Sequence, residues 1–198
     1  MEEYQMNPVP EDQENQAPAV NAAVSSCFDW MDSLSFAVII VVFLFTFLFR
    51  LPEVVGPSML PNLEEGDRVV VSCLERDFQY DDVVVVESAG TDLDEKIIKR
   101  VIATEGQEID IDFETGTVYV DGKALDESAY IDNGITTRED DMEFPQVVPE
   151  GHVFLLGDNR EVSLDSRDSR IGMVDCRHIL GKVRFIIFPF QRFGGING

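Results

Sequence analysis

Leu34–Phe49 constrains this chain more than any other stretch: fourteen of its sixteen residues are apolar and none is charged. A core helix of a soluble protein keeps a polar stripe on one face, and this run has none. With Trp30–Ser33 ahead of it and Arg50 behind, the segment reaches about 20 residues. At ~1.5 Å per residue that length matches a ~30 Å hydrocarbon layer. A cleaved leader would start on basic residues and end on small ones, whereas here acidic residues precede and Phe49-Arg50-Leu51-Pro52 follows. Residues 34–50 therefore read as one transmembrane anchor with a lipid bilayer as partner, Trp30 at one interface and Arg50 at the other. Residues 1–33 hold no Lys or Arg and are rich in Pro, Gln, Asn and Ala, which predicts a disordered acidic tail. The positive-inside rule, resting on Arg50 alone, would put that residue in the cytoplasm and the tail outside.

The charge balance excludes other classes. Among 198 residues, 15 Lys and Arg face 38 Asp and Glu, a net charge of -23. Phosphate backbones are gripped by clustered cations, so no nucleic acid is expected as a partner. An electrostatic hold on anionic lipid is disfavoured on the same ground. Hydrophobic residues make up 44%, enough for a packed core. Cys27, Cys73 and Cys176 are too few for a disulfide scaffold and lack paired zinc-like spacings. Cys73 and Cys176 could equally be a disulfide or two buried thiols.

Past Arg50 the texture is that of short strands. Asp67–Cys73, Asp82–Glu87, Lys96–Ala103, His152–Leu156 and His178–Phe188 are rich in Val, Ile and Phe and are bounded by turn residues, as strands are. Glu108–Phe113 and Thr117–Val120 flank Glu114-Thr115-Gly116, the pattern of a hairpin. Sustained helical periodicity is absent, so the fold class expected for 51–198 is mainly β, an antiparallel domain behind one N-terminal membrane helix. Residues 132–143 are acidic and irregular and read as a mobile loop or small lobe.

No cofactor and no metal are expected. His152 and His178 are the only histidines, and neither has a second ligand at metal-like spacing. Asp110, Asp112 and Glu114 begin like a calcium loop but have the turn glycine one position late. Their alternation with Ile109, Ile111 and Phe113 describes the wet face of a strand.

Three segments could carry chemistry. In Gly56-Pro-Ser-Met-Leu-Pro61 the prolines restrict the backbone around Ser58, so a rigid turn could present its Oγ. In Lys96–Ala103, alternation puts Lys99 on one face with Ile97, Val101 and Ala103, while Arg100 points the other way with Ile98 and Ile102. A lysine among apolar side chains must pair or lose its proton, and burial can lower its pKa by ~3–5 units. It would then serve as a general base, unless it snorkels at the sheet edge. The third segment, Gly157–Arg167, sets hydroxyls, carboxylates and guanidinium groups directly after an apolar strand. That is either a solvated turn or the support a reactive site needs.

Taken in order, the anchor, Gly-x-Ser58-Met-x-Pro, Gly66-Asp67-x-Val-x-Val, Lys99-Arg-Val-Ile, Gly157-Asp-Asn-Arg with Ser163-x-Asp-Ser-Arg167, and Gly181-Lys-Val with Phe188-Pro-Phe resemble the type I signal peptidases of the small, single-anchor kind. The resemblance runs from about Ser58 to the last residues. It implies a Ser58 nucleophile and a Lys99 general base acting through an acyl-enzyme on signal peptides of secretory preproteins. It further implies that Ser163 hydrogen-bonds and orients the lysine, and that Asp165, Arg167, Arg100 and Asp158 form bracing charge pairs. Oxyanion donors would be the Ser58 N–H and Gly56, which can offer backbone only. The family places the catalytic domain on the extracytoplasmic face of the cell membrane, opposite to the side the lone Arg50 suggests. Two other readings stay open here. One is a self-cleaving Ser/Lys peptidase of the SOS-repressor type, which would bring a DNA-binding domain. The other is an anchored acidic β module that binds through its polar loop.

Overall fold

In a computed structural model, the described residues are 19–87, 95–131 and 135–196. Residues 1–18 of the expected tail and 132–134 of the expected lobe lie outside them. The chain divides into two units, Met1–Val42 and Phe43–Gly198.

The first unit is helical wherever it is described, within α1 (Ala19–Phe47). Its Ser26–Thr46 portion has a mean hydropathy of 1.9 and is long and apolar enough to cross a membrane. Trp30, Phe36 and Ile39 are more than half exposed. Two boundaries differ from the sequence reading. Residues 19–33, expected as disordered tail, are helix: past Pro18 no proline interrupts them, and Ala19, Ala22 and Ala23 are strong helix formers. At the other end, Phe49 and Arg50 leave the helix to pair as a short strand, so the apolar helix stops at Phe47 rather than residue 50.

Among its described residues, the second unit holds twelve strands in two antiparallel sheets. The larger contains β1 (Phe49–Arg50), β2 (Arg68–Ser72), β3 (Val83–Val86), β4 (Ile97–Thr104), β9 (His152–Leu156), β10 (Val174–Asp175), β11 (Ile179–Phe188) and β12 (Gly194–Gly195). They run in the order β1-β2-β11-β3-β4-β9-β10, with β12 beside β11. The smaller sheet has the order β7-β6-β5-β8 and is built from β5 (Glu108–Asp112), β6 (Thr117–Val120), β7 (Lys123–Ala124) and β8 (Gln146–Val147). Each strand read from the sequence is present, and β5 and β6 form the expected hairpin, Ile109 opposite Val120 and Asp112 opposite Thr117. Ile109 and Ile111 point inward while Asp110 and Asp112 are only partly covered.

β11, the longest strand, lies between β2 and β3. Gly181 makes that approach possible, since a Cβ there would lie 2.1 Å from the Ser72 carbonyl oxygen. Three apolar clusters are formed among the described residues of the domain. One, with Val54, Met59, Leu63, Val69, Val71, Val83 and Val85, packs beneath β2, β3 and β11. A second joins Val84, Val101, Leu155 and Ile179. The third joins the smaller sheet to Ile102, Ala103, Phe154 and Leu156. A β-bulge between Val101 and Ala103 is why Ala103 shares its cluster with Ile102. The expected alternation along β4 thus ends at Val101, because a bulge adds a residue on one strand and resets the faces beyond it.

The acidic segment is not a free lobe over its described residues 135–143. Thr136 is fully buried and Met142 packs on the third cluster. Arg138 donates to the Ser163 carbonyl at 3.0 Å and to Asp140 at 2.8 Å. A single cation within this acidic run anchors it to the 157–167 loop.

Candidate functional site

Ser58 stands in the turn between the helix-proximal segment and β2. Its neighbours hold it from below: Met59 and Leu63 are buried, and the Leu63 N–H donates to the Met59 carbonyl at 2.9 Å. From the side, the Asn159 N–H donates to the Ser58 carbonyl at 3.0 Å, and Asn159 Nδ2 to Pro57 O at 3.2 Å. Proline-restricted backbone, a buried methionine anchor and two bonds from a second loop give the hydroxyl one position.

Lys99 meets it from β4. Its strand neighbour on β3 is Val84, its side chain is buried, and Nζ donates to Ser58 Oγ at 2.8 Å. Burial drives the Lys99 pKa down to about 8, against the negative charges of Asp165, Asp158 and Glu95, which raise it. A reference lysine at pH 7 is about 0.04% neutral, whereas one with a pKa of 8 is about 10% neutral. The same 2.8 Å contact then runs with the donor reversed, Ser58 O–H to a free lone pair, which is the geometry a general base requires.

A cleft of ≈ 270 Å³ opens over the pair. Its lining includes Gly56, Val55, Ile98, Val162 and Leu164 alongside Ser58 and Lys99. Gly56 sits at φ +78° with open space where a side chain would go; this left-handed conformation is one that L side chains rarely adopt.

Behind the pair lie the expected charge pairs. Arg100 Nε and Nη2 each donate to Asp158 at 2.8 Å, and Nη1 reaches Asp81 at 2.7 Å. Arg167 Nε donates to Asp165 Oδ1 at 2.8 Å with both side chains completely buried. Asp165 Oδ2 also accepts the Gly157 N–H at 3.0 Å. All eight residues singled out from the sequence therefore lie on the cleft, in the 157–167 loop, or in the pairs bracing it.

One expected contact is not made. Ser163 is completely buried, yet its Oγ has no hydrogen-bond partner among the described residues, so the predicted bond to Lys99 is absent here. Lys99 Nζ is directed at Ser58 instead, and Ser163 is held through its backbone: its N–H donates to Asn159 O at 3.0 Å and its carbonyl accepts from Arg138.

Four further residues contribute that the sequence reading gave no individual role, although Gly157 and Arg160 lie in the motif it quoted. Arg160 pairs with Glu127, both buried, through Nη1–Oε2 at 2.9 Å and Nη2–Oε1 at 2.5 Å. It also donates to Gly157 O at 3.1 Å. Asn62 Nδ2 donates to Asp158 at 2.7 Å. Gly157 itself is required by contact: a Cβ there would lie 2.2 Å from Ser163 Oγ and 2.6 Å from Ser58 O. The available signal was the density of polar groups after β9, which marks the loop but not its partners. Gly157→Ala is expected to cut kcat/KM on the order of 100-fold if Ser58 reacts, because even ~1 Å of displacement at a reacting group costs that much. Cleavage kinetics beside a thermal melt check it, and an Ala variant with wild-type kinetics would show that the close packing is dispensable.

Residues 27–188 match the family described as signal peptidase, peptidase S26. The chain is 30% identical over 175 residues to Signal peptidase I of Bacillus licheniformis, an alignment covering 84% of this chain and 91% of that one. It is 36% identical over 151 residues to Probable signal peptidase I-1 of Synechocystis, covering 71% of each. Signal peptidase IB of Staphylococcus aureus is 31% identical over 182 residues, covering 83% of this chain and 91% of that one.

Proposed function

This chain belongs to the signal peptidase family, peptidase S26, and we propose that it removes signal peptides from secretory preproteins with a Ser58/Lys99 dyad, anchored by α1 in the cell membrane with its catalytic domain on the extracytoplasmic face. The observation that carries the chemistry is the 2.8 Å contact between Lys99 Nζ and Ser58 Oγ, both of which line a cleft whose walls are mainly apolar.

Neutral Lys99 takes the hydroxyl proton as Ser58 Oγ attacks the carbonyl carbon at the cleavage site. The resulting oxyanion is met by the Ser58 N–H and a backbone donor at Gly56. Each such donor is worth about 3–4 kcal/mol in comparable acyl transfer. As the tetrahedral species collapses, the C–N bond breaks and Lys99 returns the proton to the departing amine. Lys99 then takes a proton from water, whose oxygen attacks the acyl carbon, and returns that proton to Ser58 Oγ as the acyl C–O bond breaks. The apolar part of the cleft wall, Val55, Ile98, Val162 and Leu164, suits short side chains ahead of the cut. An enzyme and a substrate that both sit in one membrane meet at raised effective concentration. For orientation we follow the family rather than Arg50, because one residue is a weak signal and the charge rule concerns short loops, not translocated domains.

The test is a preprotein whose signal peptide ends in Ala-x-Ala, incubated with the full chain in detergent. A single cut after the second Ala is expected. No cut across several preproteins would favour an anchored module that only binds.

A further inference from the structure

The turn that follows β11 reaches back to the segment between Ser58 and β2. Phe190–Arg192 forms one short 3-10 turn, and the Arg192 guanidinium touches three residues of the segment leading from Ser58 into β2. Nη2 donates to Asn62 O at 3.0 Å, Nε donates to Asp67 Oδ2 at 3.2 Å, and Nη1 donates to Glu64. The three acceptors differ in kind. Glu64 is exposed, whereas the Asp67 side chain is 2% exposed. Asp67 also accepts the Glu64 N–H at 2.8 Å, so it ties the segment to itself as well as to Arg192.

We infer that Arg192 is a positioning residue for the nucleophile. This inference rests on the dyad reading above. Residues 60–67 must hold Met59 and Leu63 under Ser58, and they form no strand of their own. Arg192 fixes Asn62 by its carbonyl, and the Asn62 amide in turn donates to Asp158, the partner of Arg100. A guanidinium presents several donors in a rigid fork, which a lysine cannot copy. The Ser58 turn is thus held at two places, at Ser58 itself by Asn159 and at Asn62, Glu64 and Asp67 by Arg192, more than a hundred residues downstream. Loss of either clamp lets Oγ drift from Nζ without touching the cleft walls that bind the peptide.

Cleavage of the Ala-x-Ala preprotein by the full chain in detergent separates positioning from simple stability. Arg192→Ala is expected to lower kcat 10- to 100-fold with KM within about 3-fold, and Arg192→Lys to recover only part of it. Arg192→Ala leaves the buried Asp67 with the Glu64 N–H but without its cation, so the melting temperature is expected to drop. The double variant Arg192→Ala/Asp67→Asn removes that stranded charge and should regain the melting temperature while kcat stays low. If kcat returns together with the melting temperature, or if KM alone rises, Arg192 does not position Ser58. Wild-type cutting with Ser58→Ala inert upholds the dyad whichever way Arg192 behaves. A wild type that does not cut defeats the functional reading first and the inference with it.

Discussion

Lys99→Met is expected to abolish cleavage and at the same time make the protein more stable. Activity should fall on the order of 10⁴-fold or more, as it should for Ser58→Ala, because the two groups act as one unit and neither works alone. The stability gain follows from burial. An unfolded chain keeps the lysine proton up to about pH 10.5, whereas the folded chain gives it up near 8. Between those values the unfolded state binds more protons, so stability rises with pH across that window. Below pH 8 the cost is present in full, about 3 kcal/mol for a shift of this size. Methionine fills the same space without a charge, so at pH 7 it should recover roughly 2–3 kcal/mol after the lost bond to Ser58 is counted. The advantage should shrink as pH climbs from 8 to 10.5. In the wild type kcat/KM should rise with pH to a half-point near 8, as the base form accumulates. Melting curves and cleavage rates at matched pH test both halves, and a Met variant that melts lower than wild type would refute the account of a strained, buried base.

Much of this was legible in the residues and some of it could not have been. Lys99 stood out because strand alternation set it among Ile97 and Val101, and local period is what a single sequence displays. Ser58 was visible through the prolines on either side of it. The five Val- and Ile-rich strands were visible for the same reason, since each carries its own turn signals. Arg160 with Glu127, and Arg192 with Asp67, were not, because nothing local states which of many distant carboxylates a guanidinium will meet. The bulge after Val101 was hidden as well: it arises from pairing with β9, not from β4 alone. The start of α1 was misread because a polar, acidic composition outweighed the alanines that favour helix. For 135–143 the error ran the same way, charge being taken for mobility although Arg138 and Met142 fasten the segment. Ser163 is the subtler case. It is completely buried, but the partner of its hydroxyl depends on where one lysine amine points.

Asp165→Asn should produce the largest loss of stability of any single change at the site. Asp165 and Arg167 are both completely buried, joined by bonds of 2.8 and 3.0 Å, and Asp165 also holds the Gly157 N–H. Removing one partner of such a pair strands the other charge and typically costs 3–5 kcal/mol, whereas replacing both by apolar groups often costs far less. Asp165→Leu with Arg167→Met should therefore be more stable than Asp165→Asn alone, although Arg167 also donates to Arg138 O and Arg160 O at 2.7 Å and those acceptors would lose a donor. The loss of the carboxylate has a second consequence at the dyad. Its negative charge is the strongest of those holding the Lys99 proton against burial, so neutralising it lets the lysine pKa fall further below 8. Whatever activity Asp165→Asn retains should then reach its half-point at a lower pH than in the wild type, even as its maximum drops because Gly157 is less firmly held beside Ser58. Chemical denaturation gives the first quantity and a pH profile gives the second. A destabilised variant with an unmoved pH profile would mean that Asp165 serves the loop alone and that the base is tuned by burial and by Asp158.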